Sequence, residues 1–254
     1  MASQKKFALS DFGASPGQIR EAFFSIAGNN PMLADLGYIL EVGISNMPLF
    51  PQILLDGGAT YTDYLSKWAK GYADAARNPP SSRKASPKGS CSDPAIQSIV
   101  QIATGVDAEF AMRLNAYHNL FMSAENIQGS LLEEYIGTCI RPYGWLWCRG
   151  HVFRAIDFCT TDGSVLLQVK NKSNTENSSS SAIRTGTEIK KWYRLGTKIQ
   201  GGKRLPLYKW EALNKIINSH ATTGVAPGCN MGEDSYQGFL RDVVLRNAGI
   251  ISDQ

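Results

Sequence analysis

Histidine and paired cysteine, the residues that build most metal and disulfide frameworks, are scarce in this chain. His118, His151 and His220 are its three histidines, scattered without zinc-ligand spacing. The five cysteines, Cys91, Cys139, Cys148, Cys159 and Cys229, are odd in number and include no C-x-x-C pair. Free thiols in a reducing cytoplasm are therefore expected, rather than a zinc centre or a disulfide framework. No glycine-rich phosphate loop is present, which argues against nucleoside triphosphate hydrolysis. Long apolar runs are missing too. The most apolar stretch, LGYILEVGISNMPLFPQILL (36 to 55), is interrupted by Glu41, Pro48 and Pro51 and suits a buried core better than a membrane. The opening MASQKKFALSDFG lacks the apolar centre of a secretory signal. Neither sign of charge dominates: 26 Lys and Arg face 22 Asp and Glu, so where the basic residues sit matters more than their number.

What is present suits a globular chain, with 43% hydrophobic and 19% charged residues. Its 254 residues are enough for one large domain or two small ones, and for a sizeable buried core. Residues 1–94 are expected to be mostly helical. SPGQIREAFFSI offers Ser15 as an N-cap and Pro16 at the first helical position. YTDYLSKWAKGYADAAR sets Tyr64, Leu65, Trp68 and Tyr72 at helical spacing. A basic Pro/Ser loop at 79–94 follows, either a solvated connector or a phosphate contact.

Residues 95–140 again suggest helices. The last, SAENIQGSLLEEYIGTCI, would start at Ser123 and gather Ile127, Leu131, Leu132, Tyr135, Ile136 and Cys139 on one face. Glu125 falls within that face, with Glu133 and Glu134 on its flanks. A carboxylate facing a core needs a cation or a partner. Alternatively, Ser123 caps the helix and Glu125 sits in its first turn. Trp145 and Trp147 are expected in a core or an interface.

From residue 150 the pattern changes. HVFRAIDF and SVLLQVKN are short, β-branched and aromatic, and Asp162-Gly163 between them marks a hairpin turn. A two-residue turn there sets Asp157 across from Gln168 and Ala155 across from Lys170. Alternation then brings Asp157, Gln168 and Lys170 to one face. A carboxylate can hold Mg²⁺ and a neighbouring lysine can orient water, which suits phosphodiester hydrolysis. A polar surface hairpin is the plainer reading of the same residues. After the hairpin comes NKSNTENSSSSAIRTGTEIKKWYR, rich in hydroxyl, amide and basic groups that commonly meet phosphates and base edges. Its end, 188 to 195, is expected to be a basic helix.

The Asp157, Gln168-Val169-Lys170 pattern resembles the PD-(D/E)xK nuclease superfamily, with Gln in place of its second acid. NIQGSLLEEYI, KNKSNTENSSSSAIRTGTEIKKW and YKWEAL, in that order from about 120 to 215, resemble the SinI-like (AvaII-type) type II restriction endonucleases. The resemblance implies a single α/β nuclease domain over 1–254. In it a restriction-endonuclease-like mixed sheet is flanked by helices, with 1–94 as a helical elaboration and 95–254 as the catalytic and DNA-binding core. It implies Mg²⁺-dependent cutting of duplex DNA at a short palindrome of the GG(A/T)CC kind by a homodimer, with a companion DNA methyltransferase and no membrane partner. Asp157, Gln168 and Lys170 would form the active site, with Glu133 as an auxiliary acid. Asp157, Gln168, Glu133 and Glu125 are the candidate metal ligands. Lys172, Asn177, Ser178, Ser179, Ser180, Ser181, Arg184, Lys190, Lys191 and Arg194 are the candidate DNA contacts, chosen for chemistry and position. A DNA-binding protein without catalysis, and a structure-selective repair nuclease, are the alternatives.

Overall fold

The computed structural model describes residues 4–85, 93–172 and 189–252. These divide into two compact units. The first comprises 1–78 with 136–233, the second 79–135 with 234–254. The architecture is mixed α/β, and no described helix is long and apolar enough to cross a membrane.

In the first unit, strands β1 (Gln4–Phe7) and β2 (Ile53–Asp56) pair antiparallel. Helix α1 (Pro16–Ala27) starts as its sequence predicts: the Ser15 hydroxyl accepts the Gln18 N–H, and Gln18 reaches back to the Ser15 N–H. Helices α2 (Ala34–Ser45) and α3 (Tyr61–Arg77) follow. Thr60 and Asp63 form the corresponding box at the head of α3, whose expected stripe of Tyr64, Leu65, Trp68 and Tyr72 is buried. The polar ends of two of these aromatics are matched to backbone carbonyls: Tyr64 Oη donates to Pro51 O at 2.6 Å and Trp68 Nε1 to Val152 O at 2.9 Å.

This helical layer shares one core with a five-stranded sheet. Its strands are β3 (Trp145–Trp147), β4 (Phe158–Thr160), β5 (Leu166–Lys172), β6 (Ile189–Gln200) and β7 (Lys203–Tyr208), in that spatial order. All neighbours are antiparallel except β5 and β6, which run parallel. Helix α6 (Trp210–Ser219) follows β7.

The expected basic helix at 188–195 is therefore the first half of strand β6. Its residues alternate: Trp192 and Arg194 are buried, while Lys191 and Tyr193, each one position earlier, are only partly so. That period of two suits a strand with one face covered, and its pairing partner lies outside the local window on which a helical reading rests.

The second unit contains α4 (Pro94–Thr104), most of α5 (Ala108–Ile140) and most of α7 (Glu233–Arg246). Its small core joins Leu131, Val243 and Ile250. Helix α5 corrects two expectations. It begins fifteen residues before Ser123, which is not a cap; its buried hydroxyl accepts the Ser252 N–H at 3.1 Å. Glu125 is exposed rather than aimed at a core. Leu131, Leu132, Tyr135 and Ile136 are buried as expected.

Candidate active site

The site is built on the turn between β4 and β5. Gly163 takes a left-handed φ of 71°, and a Cβ there would meet Val42 at 2.9 Å, so glycine suits both the turn and the packing beneath it. Asp162 Oδ1 accepts from Ser164 N and Oγ at 3.0 and 2.8 Å, and Gly163 N–H closes the turn on Thr160 O. The loop thus has four residues, 161–164, rather than two. Because that number is even and centred on the same bond, the expected register survives: Phe158 pairs with Leu167 and Cys159 with Leu166.

The first arm is shorter than expected. Residues 151–157 are not strand, and His151 and Ala155 both have a φ of 60°, a left-handed conformation uncommon for side-chain-bearing residues. Ala155 is therefore not a ladder partner of Lys170. Asp157 N–H donates to Leu167 O, although the register partner of Leu167 is Phe158. Two residues thus lie against one, a bulge that redirects the Asp157 side chain. Its Oδ2 accepts the Val169 N–H at 2.7 Å, which fixes the carboxylate against the backbone of the second arm.

Burial pushes the Asp157 carboxyl up to about 6, against the opposing pull of the Val169 N–H and the nearby Lys170 ammonium. Gln168 is 3% exposed and shares a strand face with Lys170. These three predicted residues are brought to one stretch of hairpin.

The parallel register adds others. Gln168 lies beside Lys191 and Lys170 beside Tyr193, so Lys191 and Tyr193 occupy the same face of the sheet. Tyr193 was not among the expected site residues. The alternation of Lys191 and Tyr193 with Trp192 and Arg194 was its available signal.

Arg194 points the other way. It is paired with Glu233 at 2.6 and 2.7 Å, its Nε donates to Asn171 Oδ1 at 2.9 Å, and the Tyr208 ring lies 5.4 Å from the guanidinium. With 6% of its side chain exposed, it is an internal ion-pair partner rather than a free phosphate contact. Lys190 is exposed, with Nζ 2.9 Å from His220 Nε2, and Lys172 is exposed at the end of β5. Asn177, Ser178, Ser179, Ser180, Ser181 and Arg184 lie outside the described residues.

The α5 acids belong to the second unit. There Glu134 accepts the Ser81 N–H and Oγ at 2.8 and 2.5 Å, Glu133 is partly buried and Glu125 is exposed. Among the described residues no three His, Cys, Asp or Glu side chains gather as a metal cluster. The donors of the hairpin are hard oxygens: one carboxylate, one amide and backbone carbonyls. Such a set fits an ion that keeps most of its waters, as Mg²⁺ does, and does not fit zinc.

Comparison with known proteins bears on these residues directly. The family described as SinI restriction endonuclease matches residues 62–220, which include the whole hairpin and β6. Similar proteins are the type II restriction enzyme Eco47I of Escherichia coli, 44% identical, and the type II restriction enzyme SinI of Salmonella infantis, 41% identical. Each alignment spans 168 residues, 65% of this chain and 66% of the relative, just under two thirds of the relative's length.

Proposed function

We propose that this chain, which belongs to the SinI restriction endonuclease family, is a type II site-specific deoxyribonuclease acting on duplex DNA. One juxtaposition carries the reading: a carboxylate raised to about 6 by burial, with an amide and a lysine on the paired strand, all within the matched residues. Both relatives are named type II restriction enzymes. The reading takes the whole chain as one nuclease domain that works as a homodimer. Its substrate is a short palindrome, GG(A/T)CC, protected in the host by a companion methyltransferase.

Asp157 and Gln168 would hold Mg²⁺. When bound, the ion supplies charge neutralisation at the scissile phosphate and acidifies a coordinated water. Asp157 presents an anionic oxygen once it loses its proton, above about pH 6. Gln168 presents an oxygen without charge, so the two ligands together carry a single negative charge. Lys170 donates to the attacking water, aligns it with the phosphorus, and offsets the negative charge that builds on the phosphate oxygens. Lys191 meets a flanking phosphate, and the Tyr193 hydroxyl is a further donor on that face. Lys172, Lys190 and the segment with Asn177, Ser178–Ser181 and Arg184 supply the remaining DNA contacts.

The test is incubation of purified protein with unmethylated phage DNA, with Mg²⁺ or with EDTA. Discrete Mg²⁺-dependent bands whose ends sequence to one palindrome are expected. A second reading, a duplex-binding protein that does not cut, draws on Gln168, the uncharged group where the superfamily pattern carries an acid. Intact DNA under both conditions, with a salt-sensitive mobility shift retained, would favour it.

A further inference from the structure

We infer that the exposed apolar face of α4 and the first half of α5 is the surface through which two copies of this chain pair. Helix α4 is well capped: Asp93 accepts the Ala95 N–H, Pro94 occupies the first position, and Gly105 closes the end with a φ of 72°. Yet none of its residues is buried. Ile96, Ile99 and Ile102, at i, i+3 and i+6, all face solvent, Ile102 with 85% of its surface exposed. An eleven-residue helix is marginal in water without an apolar partner.

Helix α5 continues the pattern. Phe110, Leu114, Tyr117 and Phe121 are exposed and spaced four, three and four residues apart, the spacing of a helix–helix seam. Arg113 lies over the Phe110 ring at 5.5 Å and pairs with Glu109 at 3.2 Å, so the charge nearest the seam is already neutralised.

Area and charge identify the occupant. Summed over two helices joined by only three residues, the seven residues expose roughly 900 Å², against about 800 Å² per partner in a standard protein interface. Residues 94 to 124 hold three charged side chains, Asp107, Glu109 and Arg113, with a net charge of −1. A surface so lacking in basic groups is unsuited to DNA or to an anionic membrane. A second copy suits it, because an uncharged seam can meet itself across a two-fold axis without like-charge contact. The two-fold argument rests on the palindrome-cutting reading proposed above; the surface argument does not.

The test is sedimentation velocity of the full chain over a micromolar range, in EDTA and without DNA, so that failure to cleave cannot be confused with failure to pair. Wild type should be dimeric. Ile102→Glu with Phe121→Glu should raise the dimer dissociation constant on the order of 100-fold, with an unchanged circular dichroism spectrum. Leu207→Glu, on the exposed side of β7, should leave the dimer intact. A charge-free readout accompanies these: the thiol of Ile102→Cys should alkylate about tenfold more slowly in concentrated than in dilute protein. A monomeric wild type, a double variant that still dimerises, a dimer lost through Leu207→Glu, or alkylation independent of concentration would each overturn the assignment.

Discussion

Arg194 and Asp157 both carry charge into the body of the five-stranded sheet, but their surroundings treat that charge in opposite ways. The Arg194 guanidinium meets both oxygens of Glu233, Asn171 Oδ1 and the Tyr208 ring, and Trp210 Nε1 donates to Glu233 at 2.9 Å. Each partner satisfies the other, so the group serves structure. Asp157 has one backbone N–H and the field of Lys170, and its carboxyl is driven up to about 6. A charge left costly in the resting protein is one that a ligand can relieve. The contrast separates a charge that the fold satisfies from one that it leaves for the proposed chemistry.

The largest effect expected from breaking the contrast is on the satisfied side. Glu233→Ala strands a buried guanidinium and should cost about 3–5 kcal/mol in urea unfolding, whereas Arg194→Met with Glu233→Leu should cost far less. Equal losses would mean that the pair is no more than packing. Next comes Lys170→Ala, which should lower single-turnover cleavage by about 10²–10³-fold, with duplex affinity changed only a few-fold. Parallel losses of rate and affinity would instead make Lys170 a phosphate anchor.

The pH dependence of stability sharpens the other side. The folded chain holds the Asp157 proton with a pKa of about 6 against an ordinary 3.8. Between these values the folded state binds more proton than the unfolded one, so stability falls as pH rises through the window and levels off above it. The fall should be about 2 kcal/mol in metal-free protein, and Asp157→Asn should remove it. A melting profile of Asp157→Asn that parallels wild type from about pH 4 to about pH 8 would contradict this. The smallest effect is at Tyr193: Tyr193→Phe should slow cleavage several-fold and leave the melting temperature unchanged.

How much of this could be read in the sequence depended on whether the determining contact was local. The Asp157–Gln168–Lys170 hairpin was legible because Asp162-Gly163 fixes a turn and an even loop preserves the register. The bulge at Asp157 and the left-handed Ala155 were not, since both arise where the strand must stop against its neighbours. Strand β6 was misread because its partner β5 lies across a connection, 173–188, rich in polar residues, so its basic and aromatic string lacked context. Arg194 looked like a phosphate contact because Glu233, 39 positions away, leaves no mark on the local pattern. Ser123 looked like a cap because serine before an acidic turn usually is one; here the helix was already under way.

The most direct measurement is cleavage of one unmethylated duplex by wild type and Asp157→Asn, in Mg²⁺, with a mobility shift recorded on the same samples. Wild type should yield discrete products, while Asp157→Asn should bind the duplex and yield none. Cleavage by Asp157→Asn at a rate near wild type would contradict the assignment of Asp157 to the chemistry.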